Sequence, residues 1–276
     1  FAHKTFGSSD PVGRTIKIGK NRFTITGVIQ DFGPYDELQY FDIFLSISLW
    51  WQDVSTEFYQ NFIYNHRWLQ LLDGLKVTLI ITLGAVCIGI ILGILLALLR
   101  LSRNKLAHGF AQTYLTVFRG TPLLIQLLIV NYVVFSGVRI SGMVVAIIAF
   151  GLNSGAYVAE IVRSGIQSID RGQTEAARSL GLNQSQTMRY IILPQAFKNI
   201  LPTLANEAIV LLKETSVVGY ITITDLTRAG DIIRSRTFSA FMPLIGVAIV
   251  YLLMTTLLSF IFGKIERRMH AHDTRS

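Results

Sequence analysis

The chain has 276 residues, 51% hydrophobic and only 15% charged, with a formal net charge of +8; a soluble domain carries about 25% charged residues. With a mean hydropathy of +0.48, that composition excludes an ordinary soluble domain and leaves an integral membrane protein. The charge does not mark a nucleic-acid binder, because basic residues flank apolar runs instead of forming one patch with interleaved aromatics.

The first stretch has a composition of its own. Residues 15–29, TIKIGKNRFTITGVI, alternate polar and apolar on either side of GKN, a β-hairpin signal. FGSSDPVGRTIKI and FTITGVIQD, within Phe1–Pro34, resemble part of the extracytoplasmic domain of macrolide-exporter-type permeases. That domain is normally much larger, so residues 1–45 are expected to be a hairpin fragment, or a joined reading frame, without an assigned role. No cleavable signal peptide is read, and the chain starts on Phe instead of Met, which points to a missing beginning. Residues 46–74 form a linker. Within it Phe58, Tyr59, Phe62, Tyr64 and Trp68, interleaved with Asp53, Glu57, His66 and Arg67, suit either an interfacial helix or a plain folded linker; aromatic rings favour the headgroup level.

Five apolar segments follow within residues 75–269. Leu75–Leu99, LKVTLIITLGAVCIGIILGILLALL, has Lys76 at its edge as its one charge. About 20 apolar residues cross a bilayer core of about 30 Å, so it can span with some tilt. The others are about Tyr114–Phe135, Met143–Val162, Phe197–Gly219 and Ala240–Phe262; the fourth carries Asn206, Glu207 and Lys213. Backbone groups in lipid must pair internally, so each is expected to be a helix. The fold class is an all-α polytopic membrane protein of about five transmembrane helices, with a cytoplasmic helix-turn-helix loop and the small N-terminal hairpin. Lys and Arg gather after the first and fifth spans and between the third and fourth; across the membrane the second-to-third loop has only Arg139, although the loop after the fourth span carries Arg228, Arg234 and Arg236. The positive-inside bias puts the N-terminus outside and the C-terminus, with the tail 270–276, inside.

Cys87 lies in the first span and admits no internal disulfide. Gly89 and Gly93 form a G-x-x-x-G pair that permits close helix packing. Thr121 and Pro122 either kink the second span or simply start its helix.

The polar segment between the third and fourth spans, about residues 170–194, reads as a rigid elbow. Asp170 with Gln173 suits a capping box, Gly181 a helix-ending C′ residue, and Asn183 with Gln186 a second capping box. A second helix, Gln184–Ile192, is expected to stop before Pro194. Ala176 and Ala177 remove bulk from one side, with Glu175, Arg178 and Arg189 around them, as a knob docking into a soluble partner needs. An amphipathic helix lying on the inner membrane surface fits as well.

Glu175-Ala176-Ala177, then Gly181, Ile191 and Leu193-Pro194, resemble the EAA loop of ABC importer permeases. The resemblance covers about Leu69–Met269, and RGTPLLIQ (Arg119–Gln126), LNSGAYVAEIVRSGIQSI (Leu152–Ile169) and KETSVVGYI (Lys213–Ile221) are similar to its polar amino acid branch. It implies a permease that pairs with a second permease subunit, identical or related, two cytoplasmic ATPase subunits and an extracytoplasmic amino acid-binding protein. ATP and Mg would be used on the ATPase, and no cofactor or metal by this chain. The chain has no G-x-x-x-x-G-K-[ST], H-E-x-x-H or G-x-S-x-G signature, so transport without catalysis is expected.

Ionisable groups inside spans are costly and mark candidate sites. Glu207 beside Asn206 suits a substrate ammonium, a pairing with Lys213, or an inter-helix hydrogen bond. Asn153, Tyr157 and Glu160 recur at three- and four-residue spacing on one helix face, as pathway lining or as bonds to a neighbour, with Glu160 also able to neutralise Arg163. An ion-gradient-driven carrier would use Glu207, and an exporter-type permease or non-transporting scaffold would suit residues 1–34.

Overall fold

Helix α1 (Arg67–Leu101) runs unbroken for 35 residues, about 50 Å at 1.5 Å per residue, so it outreaches a bilayer core of about 30 Å. The computed structural model describes Thr15–Ile18, Asn21–Thr24 and residues 54–270. The remaining parts of the expected segments 1–45 and 46–74, and the tail from 271, lie outside the described residues. The chain divides into two compact units, residues 1–56 and 57–276. In the first, strands β1 (Thr15–Ile18) and β2 (Asn21–Thr24) pair antiparallel, with Ile16 opposite Phe23.

In the second unit a π turn, Tyr59–Ile63, leads through left-handed Asn65 and His66 into α1. Phe58, Tyr59, Tyr64 and Trp68 are exposed, but Phe62 turns inward onto Leu71, Leu226, Ile233 and Val247. Its ring fills the space left by Gly246, where a Cβ would meet it at 2.7 Å.

After α1 come α2 (Lys105–Gly120), α3 (Leu123–Ile129, continued by a π turn to Val134) and α4 (Gly142–Gln167). Then follow α5 (Arg171–Ser179), α6 (Gln184–Thr187, continued by a π turn to Ile192) and α7 (Leu193–Glu214). A 3-10 stretch (Thr215–Ile221), α8 (Leu226–Thr237) and α9 (Phe241–His270) complete the order. The centre is the α1–α4 pair, and its sequence explains why. A Cβ at Gly89 would lie 2.7 Å from Ser154 Oγ, and one at Gly151 2.6 Å from Ile88 Cγ2. Small residues on each helix receive large ones from the other, so the backbones approach closely. Ile81, Ala85, Leu127, Phe150 and Leu211 extend this contact into a core shared by α1, α3, α4 and α7.

Among the described residues, three helical runs are long and apolar enough to cross a membrane: the run ending at Leu101, Gly142–Gln167 and Phe241–Arg268. A bent pair, Lys105–Gly120 with Leu123–Val134, passes the same test only when its two helices are taken together, as a broken span or a re-entrant loop. The expected single helix over about Tyr114–Phe135 is therefore corrected. Its first turns belong to α2, and the pair meets at 108°. Pro122 is the reason: a proline pushes its predecessor into extended conformation, and Thr121 has φ −120° and ψ 148°. The fourth expected segment is helical from Leu193 to Glu214, with Lys198, Asn206, Glu207 and Lys213 lowering its hydropathy. Only 6% of the apolar window of α9 is buried, leaving Leu252, Leu253, Leu257 and Phe260 exposed.

Candidate functional site

The break between α2 and α3 organises a polar cluster. Interrupting a helix strands backbone carbonyls, and side chains take them up here. Gln126 Nε2 donates to Phe118 O at 2.8 Å, Thr121 O at 3.0 Å and Thr121 Oγ1 at 2.8 Å. From α4, Asn153 Nδ2 donates to Gln126 Oε1 at 2.8 Å and to Phe118 O at 3.4 Å. Tyr114 adds a bond from its hydroxyl to Leu152 O at 2.8 Å. Gln126 and Asn153 are both buried.

One turn further along α4, Arg119 places its guanidinium 5.6 Å from the Tyr157 ring centroid. Its Nη1 lies 3.6 Å from Glu160 Oε2. Arg100, from the end of α1, and Arg163 both donate to Glu160. Three guanidinium groups thus surround one carboxylate, leaving a surplus of positive charge, and Arg119 is 42% exposed at its side chain. The stripe Asn153, Tyr157 and Glu160 meets the end of α2 at Phe118 and Arg119, with Gln126 of α3 beside Asn153 and Arg100 of α1 beside Glu160.

The sequence paired Glu160 with Arg163, which the structure also does, but it missed Arg100, Arg119 as a partner, and Gln126. Helix periodicity carries i, i+3 neighbours; Arg100 is 60 residues from Glu160. Arg119 and Gln126 stood in view only as the ends of RGTPLLIQ.

Glu207 and Asn206 lie apart from that cluster. Glu207 accepts from Ser154 Oγ at 3.2 Å, the inter-helix bond that was one of its expected alternatives. Asn206 is exposed and lines a groove of about 350 Å³ with Val86, Ile90, Pro202, Ser259 and Glu266.

The elbow between α4 and α7 is built by its caps. Asp170 Oδ1 accepts from Gly172 N at 2.6 Å, one residue earlier than a capping box with Gln173 requires. Helix α5 ends in a Schellman turn: Leu182 N donates to Ala177 O at 3.2 Å, and Gly181 N to Arg178 O at 3.0 Å. Gly181 carries φ +86°, the left-handed conformation glycine tolerates. Asn183 and Gln186 close the second helix start with a full capping box, 2.9 Å in each direction.

Pro194 does not stop the second helix, contrary to expectation. The helical path runs on into α7, with Pro194 in its first turn. A proline removes an N–H and crowds the carbonyl four residues back. The widened turn Met188–Ile192, where Leu193 N donates to Met188 O, supplies the room. The two alanines also divide: Ala177 is buried, while Ala176 is exposed beside Glu175. Leu180, 84% exposed, and Tyr190 and Leu193 stand out with Arg178 and Arg189. Ile191 is half-buried and Pro194 exposed.

Residues 89–271 match the binding-protein-dependent transport system inner membrane component family. The arginine transport system permease protein ArtQ of Bacillus subtilis (strain 168) is 40% identical over 205 residues, 74% of this chain and 94% of that protein. The glutamine transport system permease protein GlnP of Escherichia coli (strain K12) is 37% identical over 202 residues, 72% of this chain and 92% of that protein. Among solved structures, that of an amino acid ABC transporter with histidines superposes with a TM-score of 0.69 at 41% identity, covering 82% of this chain and all of that one. The chain belongs to the family of binding-protein-dependent transport system inner membrane components. It is a permease subunit, a transport component of an assembly that includes an ATPase and a substrate-binding partner.

Proposed function

We propose that this permease carries polar amino acids inward, driven by ATP hydrolysed on a separate chain. The observation that carries the reading is the pairing of Glu160 with the half-exposed Arg119 above Tyr157. An α-amino acid presents a carboxylate, and the surplus positive charge of this cluster, with Arg119 half-exposed, supplies its counter-charge. The names of the arginine and glutamine permeases, and of the solved amino acid transporter, support that substrate class. Asn153 and Tyr157 would shape this contact, and Glu207 and Asn206 a second polar stretch of the route.

The elbow Glu175–Pro194 is the coupling element in this reading. Exposed Glu175, Ala176, Leu180 and Leu193 dock in a cleft of the ATPase, where ATP and Mg are bound, while Ala177, Gly181, Ile191 and Pro194 keep the elbow rigid. Five spans, with the bent pair and α7 as the second and fourth, put the N-terminus outside and the elbow and C-terminus inside. The bare face of α9 supports pairing with a second permease chain, identical or related. Two ATPase subunits and an extracytoplasmic amino acid-binding protein complete the assembly, and the aromatic residues 58–68 lie at the outer headgroup level.

The test is uptake into proteoliposomes holding the complete assembly with ATP inside, comparing Glu160→Gln with the unaltered protein for L-glutamine and L-arginine. Loss of uptake with retained assembly supports the reading; unchanged uptake removes Glu160 from it.

A further inference from the structure

Gln126 holds both sides of the α2–α3 break with one amide. Its donors reach Phe118 O on the α2 side and Thr121 at the break itself, and its oxygen is held by Asn153 on α4. Packing does not hold that turn: nothing lies within 4 Å of where a Gly120 Cβ would stand, and Thr121 and Pro122 are exposed. Pro122 breaks the helix, α2 and α3 pack separately through Leu115 and Leu127, and the hydrogen bonds hold the two sides of the break together. Arg119 sits between Phe118 and Gly120, so its position follows from theirs.

We infer that Gln126, anchored by Asn153, is a positioning residue: it fixes the 108° bend and thereby keeps Arg119 over Tyr157 and against Glu160. This rests on reading the charged cluster as the amino acid contact. Gln126→Met keeps the length of the side chain and removes every one of these bonds. Phe118 O then keeps only the 3.4 Å bond from Asn153 and Thr121 loses its bonds to Gln126, so alternative arrangements of the break become competitive. Gln126→Glu keeps an acceptor for Asn153 but withdraws the donors, so it isolates the contribution of the break from that of α4.

The bend is read by double electron–electron resonance on the reconstituted assembly. Spin labels go on Phe110→Cys and Val133→Cys, both exposed, in a Cys87→Ser background. A narrow distance distribution is expected for the unaltered chain and a broadened or displaced one for Gln126→Met. Gln126→Glu serves the same purpose if the first variant does not assemble. Identical distributions overturn the inference.

Uptake of L-glutamine and L-arginine supplies the second readout. Gln126→Met is expected to raise KM by at least about tenfold, as small misplacements of a contact group do, while the maximal ATP-driven rate changes far less. Combining it with Asn153→Leu adds little further, because both break one device. An unchanged KM beside a raised KM for Glu160→Gln overturns the positioning role. An unchanged KM for Glu160→Gln itself overturns the underlying reading of the cluster, and the distance distributions still decide whether Gln126 sets the bend.

Discussion

Gly93 on α1 and Val158 on α4 approach so closely that a Cβ on the glycine would stand 2.5 Å from the Cβ of the valine. The contact belongs to the same interface as Gly89 with Ser154, so a side chain there must push the two central helices apart. Gly93→Ala is expected to destabilise the fold by about 1–3 kcal/mol, the usual cost of overpacking a tight core. Gly109, with open space around it, is the control: Gly109→Ala removes a helix glycine and leaves stability equal or better. Thermal unfolding in nanodiscs checks both, and equal melting of the two variants would contradict the packing argument.

Glu160 gathers Arg100, Arg119 and Arg163 from three helices. Glu160→Gln leaves their charges without a carboxylate and releases Arg119 from the arrangement that holds it over Tyr157. KM for amino acid uptake is expected to rise about tenfold or more, corresponding to about 1.4 kcal/mol of lost interaction. Glu160→Asp, which restores the charge on a shorter stem, should recover part of it. Transport rates measured against substrate concentration check the pair.

Asp225 is buried at the start of α8, accepting from Arg228 N and Thr227 N at 3.0 Å each. Burial raises its pKa above the usual aspartate value, partly opposed by the backbone hydrogen bonds to Arg228 and Thr227. For an acid whose folded pKa is raised, the stability contribution is full below the unfolded pKa and is lost as pH rises through the folded pKa. The unaltered chain is therefore expected to lose stability as pH rises from the ordinary aspartate range through the raised folded pKa, and Asp225→Asn to flatten that loss. Asp225→Ala should cost about 1 kcal/mol at every pH by removing the helix cap. Melting temperatures of the three proteins across pH 4–8 are the check, and parallel curves for the unaltered chain and Asp225→Asn would refute the assignment.

Gly181 needs its left-handed conformation and has no neighbour where a Cβ would stand. Gly181→Ala is expected to cost about 1–2 kcal/mol locally, from backbone alone. Gly181→Pro cannot adopt φ +86° and loses the N–H bonded to Arg178 O, so the Schellman turn opens. Membrane insertion should survive while ATP hydrolysis and uptake separate. The ratio of amino acid imported to ATP consumed reports this, and normal ATP-driven uptake by Gly181→Pro would refute the coupling role.

Local signals were legible and distant ones were not. The caps at Asn183 and Gly181 rest on residues within a few positions, so the elbow could be read from its letters. Pro194 misled because a proline stop assumes an α-helix, and the widened turn before it relieves the clash. The second span was legible in part: Thr121-Pro122 admitted a kink, which the backbone makes, but hydropathy runs straight through them and carries no sign of a bend as large as 108°. Gln126 and Arg100 bond across 27 and 60 residues, distances over which no periodicity in one chain reports.

The most direct measurement is uptake of radiolabelled L-glutamine and L-arginine into proteoliposomes holding this permease, its ATPase and its binding protein. The account predicts accumulation that requires ATP on the ATPase side and persists when an ionophore collapses ion gradients. Accumulation abolished by the ionophore with ATP in ample supply would contradict it.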